Sequence, residues 1–291
     1  MNQKIIVFPN IDRDPGFEVA QRICELLRLK GKVVKLCPMV YEDNPIDFSK
    51  LNIITDVFEN ELHDTEMIIT IGGDGTLLRA ARAVTDLDIS VLGVNMGGKG
   101  FLAEIELSDI SLIESVAEGM HKIENRMMLD AVVVRDGNPV YCDFALNDVV
   151  IKGDNKVIDL ALFGDGQQIM QFSGDGAVIA TPTGSTAYSM AAGGPIVEPT
   201  TDNIIVTPVC AHALAAKSIV LASDRCVTVE VGQAKHNPAY MSVDGGKHIT
   251  ILCDDIIKIN VSKRVTRLIK ITNKSFYQRV NDKLGTSPSA L

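Results

Sequence analysis

The chain has 291 residues, of which 46% are hydrophobic and 22% charged, a globular composition with enough apolar material for a substantial core and a length suited to about two domains. Its net charge of −9 argues against a nucleic-acid partner, because phosphate backbones call for a basic face. A small phosphorylated ligand stays possible, since a nest of backbone N–H groups binds an anion within an acidic protein.

Residues 4–8 read as a strand reached directly from Met1, with no charged-then-apolar leader, which implies a cytoplasmic protein. Val19, Ile23, Leu26 and Leu27 mark one face of a helix, residues 32–37 a second strand, and residues 41–60 a polar loop. A third strand, residues 67–71, ends in glycines. Helical spacing follows at Leu77, Ala80, Ala81 and Val84, then a strand at 89–94 and a second glycine-rich turn. Strands of continuous apolar residues alternating with helices imply a parallel sheet covered on both faces.

After about Arg126 the pattern changes. Residues 131–134, 157–163, 169–172, 227–231 and 248–259 are strand-like, with turn signals at Asp136-Gly137, Asp165-Gly166 and Asp244-Gly245. The expectation is an α/β domain over 1–124 and a β-rich domain over 125–264, rich in antiparallel hairpins. The tail, 265–291, returns to the first domain with a strand at 268–271 and a short helix, and its last residues, from Gly285, fray. The uncharged stretch 177–197 is long enough to span a membrane, but its Gly, Pro, Ser and Thr content reads as a buried active-site segment. The six cysteines form no C-x-x-C pair and read as free thiols in a reducing compartment. The five histidines show no metal-binding spacing.

Three segments carry chemistry. Ile71-Gly72-Gly73-Asp74-Gly75-Thr76 takes a strand through a glycine turn into a helix, where N–H groups and the helix N-terminus converge on phosphate oxygens. Asp74 is out of place beside phosphates unless it holds Mg²⁺ or takes a proton from a nucleophile; the bland reading is a helix cap in a tight turn. The Gly-Lys-Ser/Thr ending of a Walker loop is absent. A second turn, Asn95-Met96-Gly97-Gly98-Lys99-Gly100-Phe101-Leu102, follows the next strand; Phe101, read as lying just inside a helix, covers a base or ribose or else joins the core. The third is Ser173-Gly174-Asp175-Gly176 leading to Thr181-Pro182-Thr183-Gly184-Ser185-Thr186-Ala187-Tyr188, whose small hydroxyl side chains suit a polyhydroxylated ligand such as a nucleotide. Asn147-Asp148 suits a ribose diol, or equally a turn, and Asp244-Gly245 reads as a type I′ turn.

Together these segments resemble the bacterial NAD kinase family. The resemblance rests on the G-G-D-G-T of 72–76 and on Asn95-x-Gly97-x-x-Gly100-Phe101-Leu102. It extends to Asn147-Asp148, Asp175-Gly176, the T-P-T-G-S-T-A-Y block of 181–188, Gly193-Gly194-Pro195, His212 and Leu214 after Pro208, and Val243-Asp244-Gly245. G-G-D-G is shared with diacylglycerol kinases and phosphofructokinases, whereas the 181–188 block is far more specific. The resemblance implies a Rossmann-like domain followed by a β-rich, NAD-binding and oligomerising domain. It implies a cytoplasmic phosphotransferase forming a homodimer or homotetramer, with ATP or another phosphoryl donor, a divalent ion such as Mg²⁺ held mainly by phosphates, and NAD as acceptor.

By the same resemblance, Asp74 is the base on the adenosine 2′-hydroxyl, with Gly75 and Phe101 beside the NAD. Asn147 and Asp148 hold the nicotinamide-side ribose, Thr186, Ala187 and Tyr188 surround the adenosine, and Asp175, Ala191 and Asp244 complete the NAD site. Gly72, Gly73, Thr76 and Arg79 face the donor phosphates. The sequence departs from the family at Asp148, where Glu is usual, at Lys99, where an apolar residue is common, and at Ala191, where Ser is frequent. The competing expectations are a G-G-D-G kinase acting on a lipid or sugar, and a non-catalytic NAD-sensing module.

Overall fold

A computed structural model describes residues 4–39, 56–98, 100–154, 156–232, 238–252 and 254–285. The chain gathers into two compact units, Met1–Asn125 with Thr266–Leu291, and Arg126–Val265. In the first, β1 (Lys4–Pro9) lies between β2 (Val33–Leu36) and β3 (Thr65–Gly72), and β4 (Ser90–Asn95) flanks β3, all parallel. The short β5 (Ile105–Glu106) runs parallel to the end of β4, and Leu268 from the returning chain pairs with Val91. Residues 5–8 and 67–72 are buried along their whole length, as expected of parallel strands covered on both faces.

The helices follow from their apolar spacing. In α1 (Glu18–Leu29), Ala20, Ile23, Cys24 and Leu27 are buried on one face. Its first N–H groups, from Val19 and Ala20, donate to the Asp14 carboxylate at 3.3 and 2.9 Å. Within the polar 41–60 stretch, residues 40–55 lie outside the described residues, and the remainder enters α2 (Phe58–Glu61). In α3 (Asp74–Val84) the buried face is Thr76, Leu77, Ala80, Ala81 and Val84. Ile113, Val116 and Ala117 of α4 (Leu112–Ala117) join the core that holds the buried face of α1.

The second unit opens with a hairpin of β6 (Lys122–Arg135) and β7 (Asn138–Ala145). Then follow β8 (Asp148–Gly153), the hairpin β9 (Ile158–Gly164) and β10 (Gln167–Gly174), β11 (Gly176–Ala180), and the single-turn α5 (Tyr188–Ala191). The remaining strands are β12 (Asn203–Val209), β13 (Ile219–Ala222), β14 (Val227–Val231), β15 (Ala239–Val243), β16 (Ile249–Ile251) and β17 (Ile256–Lys270). One antiparallel sheet has the order β13-β12-β11-β8-β15-β16, and β10-β9-β14-β17 form another antiparallel run. Alternate residues of both sheets meet in one core, Val149, Ile151, Ala177 and Ile179 from the first and Leu160, Leu162, Val227 and Ile257 from the second. This is the period-two pattern of a sandwich.

The three Asp-Gly turns form as their chemistry dictates. Both central residues carry positive φ: 51° and 76° at Asp136-Gly137, 49° and 78° at Asp165-Gly166, and 48° and 69° at Asp244-Gly245. The expected single strand over 248–259 is broken instead. The buried Asp255 carboxylate accepts from the Leu252 N–H and takes a bidentate pair from Arg135 at 2.7 and 2.8 Å, which stops β16 and starts β17. The strand expected at 268–271 is the end of that long β17. Cys24 and Cys37 are buried thiols pushed up to about 11 and about 12 by loss of solvent, hence unreactive; Cys253 lies outside the described residues. No described helix is long and apolar enough to cross a membrane, and residues 177–197 form β11, a 3-10 turn and α5.

After β17 the chain adds α6 (Phe276–Leu284) to the first unit, opened by a Ser275/Gln278 capping box. Its docking depends on Glu104, whose side chain is 1% exposed. That carboxylate accepts from Lys270 and Arg279, from the Thr272 hydroxyl at 2.6 Å, and from the Ile271 and Thr272 N–H groups at 3.1 and 2.8 Å. Burial alone raises its proton affinity, but these partners outweigh it and hold Glu104 below the usual carboxylate range. Glu104→Ala removes the buried carboxylate that pairs with Lys270 and Arg279, and urea unfolding should show a loss of about 3–5 kcal/mol.

Candidate functional site

In the first unit the site is built on the end of β3. Gly72 is the last strand residue, Gly73 the N-cap of α3, and Asp74 the first helical residue. The Asp74 carboxylate accepts from the backbone N–H of Phe101 at 2.8 Å and of Leu102 at 3.2 Å. Partial burial raises the proton affinity of Asp74. The N–H groups of Phe101, Leu102 and Ala103 and the charge of Lys283 oppose this, and the net shift is upward. Two accepted hydrogen bonds leave a carboxylate with about two free lone-pair sites. Asp74 can therefore be held in place and still meet a ligand.

None of Gly72, Gly73 and Gly75 has positive φ, and of these three it is Gly72 whose lack of a side chain the packing requires. A Cβ on Gly72 would collide with the Thr76 hydroxyl, and one on Gly100 would collide with the Asp74 carboxylate. Thr76 is buried and its hydroxyl accepts from Asn10 Nδ2 at 3.3 Å, while Arg79 is exposed one turn further on. Asn10, at the end of β1, has no sequence signature of its own, since its role comes from lying beside β3. In the second turn Gly97 has φ 90°, and Asn95 closes the loop by donating to the Gly98 carbonyl at 3.0 Å and accepting its N–H at 3.1 Å. The helix expected after it does not form: residues 101–104 run as an irregular strap, bent at 101–102, into β5, and Phe101 is half-buried. Lys99 lies outside the described residues.

In the second unit β8 divides its residues between two faces. Val149 and Ile151 enter the core, while Asp148, Val150 and Lys152 line a surface groove. Two adjoining cavities of about 680 and about 400 Å³ share Val150, Lys152 and Tyr188, within the usual size range of small-molecule sites. One continues to Asp175, Gly176 and Lys156, the other to Asn147, Ala187, Ser242, Asp244 and His248. A Cβ on Gly176 would collide with the Ile151 carbonyl, so glycine is needed where the floor passes from β11 to β8. Lys152 and Ser242 were not singled out from sequence; the alternation Asp148-x-Val150-x-Lys152 marks the first, and Ser242 is brought in by the pairing of β15 with β8.

The 181–188 block behaves differently from expectation. Most of its hydroxyl groups serve the loop itself. Thr181 donates to the Leu146 carbonyl at 2.6 Å, Ser185 exchanges hydrogen bonds with Val197, and buried Thr183 accepts from Arg126. Just beyond the block, Ser189 pairs with Thr207. Gly184 fits only because a Cβ there would collide with the Asn147 carbonyl. What remains open is the turn they build, with Thr186 and Ala187 half-buried and Tyr188 and Ala191 exposed.

Asn147, Asp148 and Asp244 come together. The Asp244 carboxylate accepts from the N–H groups of Leu146, Asn147 and Asp148 at 2.8, 2.7 and 3.1 Å, so a residue read as a plain turn clamps the other two. Asn147 Oδ1 is buried without a protein partner, an acceptor that a ligand hydroxyl would satisfy. Burial first and the Asp244 charge second push Asp148 up to about 7, against one backbone hydrogen bond from Tyr188. Among the described residues no group of three or more His, Cys, Asp or Glu side chains could hold a metal ion.

An unfolded Asp loses its proton near pH ~3.9, whereas folded Asp148 keeps it to about 7. The native state thus binds more protons between these values, and Asp148 costs stability increasingly as pH rises through that window. Asp148→Asn, which retains an acceptor for the Tyr188 N–H, should stabilise the protein at pH 8 by on the order of 3 kcal/mol. Thermal unfolding at the two ends of the window should show a gain in Tm at pH 8 that disappears at pH 4; an equal shift at both would contradict the assignment.

Two family models match consecutive parts of the chain, the ATP-NAD kinase N-terminal domain over residues 6–121 and the ATP-NAD kinase C-terminal domain over residues 146–271. The NAD kinase of Lachnoclostridium phytofermentans is 36% identical, covering 97% of this chain and 99% of its own. That of Natranaerobius thermophilus is 37% identical, covering 96% of each. Among solved structures, a yeast NADH kinase complexed with NADH superposes with a TM-score of 0.81 at 23% identity, covering 99% of this chain and 89% of its own. An NAD kinase from Archaeoglobus fulgidus in complex with ATP gives 0.72 at 24% identity, covering 96% and 98%. Their likeness shows the shared fold, and the family models and curated relatives show that this chain belongs to the NAD kinase family.

Proposed function

We propose that the protein transfers the γ-phosphoryl group of ATP to the 2′-hydroxyl of the adenosine ribose of NAD, giving NADP and ADP. The observation that carries this reading is Asp74, a carboxylate of raised proton affinity on the first turn of a helix that opens from a glycine turn, in a chain of the NAD kinase family. Asp74 takes the proton of the 2′-hydroxyl as the oxygen attacks the γ-phosphorus; the O–P bond to ADP breaks as the new one forms. Gly72, Gly73 and Thr76 let the donor phosphates approach the N-terminus of α3, and Arg79 adds charge one turn away. Gly75 and Phe101 lie next to Asp74 on the NAD side.

The groove of the second unit takes the dinucleotide. Asn147 and Asp148 bind the nicotinamide-side ribose, with the unpaired Asn147 Oδ1 supporting that role. Thr186, Ala187 and Tyr188 surround the adenosine, and Asp175, Ala191 and Asp244 complete the NAD site. A divalent ion such as Mg²⁺ would be held mainly by the phosphates and would neutralise their charge. The ATP complex of the Archaeoglobus enzyme and the NADH complex of the yeast enzyme support donor and acceptor of these classes. We further propose a cytoplasmic homodimer or homotetramer built through the β-rich unit, whose edge strand β13 and 252–255 turn carry the exposed apolar side chains Val220 and Leu252.

Incubation of the purified protein with NAD, ATP and Mg²⁺ should yield NADP, and absence of product with every donor would sink the reading. Asp74→Asn keeps one of the two acceptor oxygens and should cut kcat by about 10²–10⁴-fold, the usual scale of general-base loss. A variant of near-normal kcat would remove Asp74 from the mechanism.

A further inference from the structure

We infer that the C-terminal helix α6 is the positioning element for the Asp74 carboxylate, acting through the strap of residues that donates its N–H groups to it. This rests on the proposed role of Asp74 as the base. The grip on Asp74 comes from the Phe101 and Leu102 N–H groups, which belong to an irregular, bent segment rather than to a helix or a paired strand. Such a strap lacks the regular hydrogen bonds of a helix or ladder, so its position depends on what holds its carbonyls and flanks.

Two residues of α6, four apart and therefore on one helix face, do this. Arg279 Nη1 donates to the Ala103 carbonyl at 3.4 Å, and its Nη2 donates to Glu104. Lys283 Nζ donates to the Gly98 carbonyl at 3.4 Å and to Glu106 Oε1 at 2.9 Å. The chain is thus tied just before the strap at Gly98, within it at Ala103 and Glu104, and on the strand beyond at Glu106. Glu104 also bonds Lys270 and the 271–272 backbone, the chain that leads into the helix. The strap is also tied inward, by the Glu104 N–H on the Gly93 carbonyl at 2.9 Å. Arg279 is 13% exposed and Lys283 20%, so neither is a mobile surface cation.

The arrangement sets charge as well as place. Lys283 acts directly on Asp74 and favours its ionised form. Of the other charges around it, Glu106 on β5 is paired with Lys283, Glu104 is paired with Arg279 and Lys270, and Arg79 and Arg82 belong to the helix of Asp74 itself. Loosening α6 therefore withdraws N–H donors and a positive charge from the same carboxylate, and both losses raise its proton affinity. Lys274 supplies a control: it pairs with Asp282 on α6 at 3.3 Å rather than with a strap carbonyl or carboxylate, and both are more than half exposed.

The test compares Arg279→Met, Lys283→Met and the control Lys274→Met in the full-length protein, by amide hydrogen exchange and by the pH dependence of kcat/KM for NAD. The expected result for the first two is exchange at Phe101 and Leu102 at least about tenfold faster. The acid limb should move to higher pH, with kcat lower by about 10–100-fold, the scale of a small misplacement of a reacting group. The KM for NAD should change little, and Lys274→Met should match the wild type in every reading. Arg279→Lys, which reaches the Ala103 carbonyl or Glu104 but not both, should recover part of the loss. If Arg279→Met fails to fold, Lys283→Met carries the same readings, because its ion pair is only partly buried. Unchanged exchange at Phe101 and Leu102 overturns the inference, and so does faster exchange with an unmoved acid limb. A full kcat in Asp74→Asn would instead overturn the proposed base while the exchange result still decides whether α6 holds the strap.

Discussion

Two backbone N–H groups, those of Phe101 and Leu102, hold the Asp74 carboxylate, and the first unit is arranged around keeping them there. The parallel sheet brings the ends of β3 and β4 side by side, since Gly72 and Asn95 are paired residues in its register. The turns that follow the two strands are therefore neighbours by construction. Glycine at 100 removes the side chain that would push them apart. The result is a charged group desolvated enough to want a proton and hydrogen-bonded enough to stay fixed. Those opposing effects are what a base near neutral pH requires.

The second unit solves a related problem with two carboxylates. Asp244 sits in a positive-φ turn and collects three N–H groups, while Asp148, a few ångströms along the same strands, receives one and is buried. Asp244 shapes the 146–148 turn through these hydrogen bonds, and its charge adds to burial in raising the proton affinity of Asp148. The shortening from the usual Glu places this carboxylate close to the strand, where β8 turns Val150 and Lys152 to the same face of the groove.

Much of this was legible in the sequence because it depends on local patterns. Continuous apolar strands alternating with helical spacing identify the parallel sheet, and each Asp-Gly pair marks a turn whose positive φ both residues tolerate. The 72–76 and 181–188 motifs identify the family. What sequence could not supply are interactions between segments far apart in the chain. Asp74 meets Phe101 and Leu102, Asp244 meets Leu146 to Asp148, and Glu104 meets α6, each across a sequence gap that no period records. Hydroxyl-rich composition also misled. Thr181, Thr183 and Ser185 looked available to a ligand, yet they are consumed in building the loop that presents Tyr188. The break in 248–259 has the same origin, since it is imposed by Arg135 from a strand more than a hundred residues earlier.

The most direct test of the account is the carboxyl carbon of Asp74 itself, observed by ¹³C NMR in protein labelled at aspartate and assigned by its disappearance in Asp74→Asn. The account requires this carbon to titrate above about 3.9, the ordinary aspartate value, and to shift when NAD saturates the protein, because the 2′-hydroxyl then meets the carboxylate. A resonance that titrates at or below that value and does not move with NAD would contradict it.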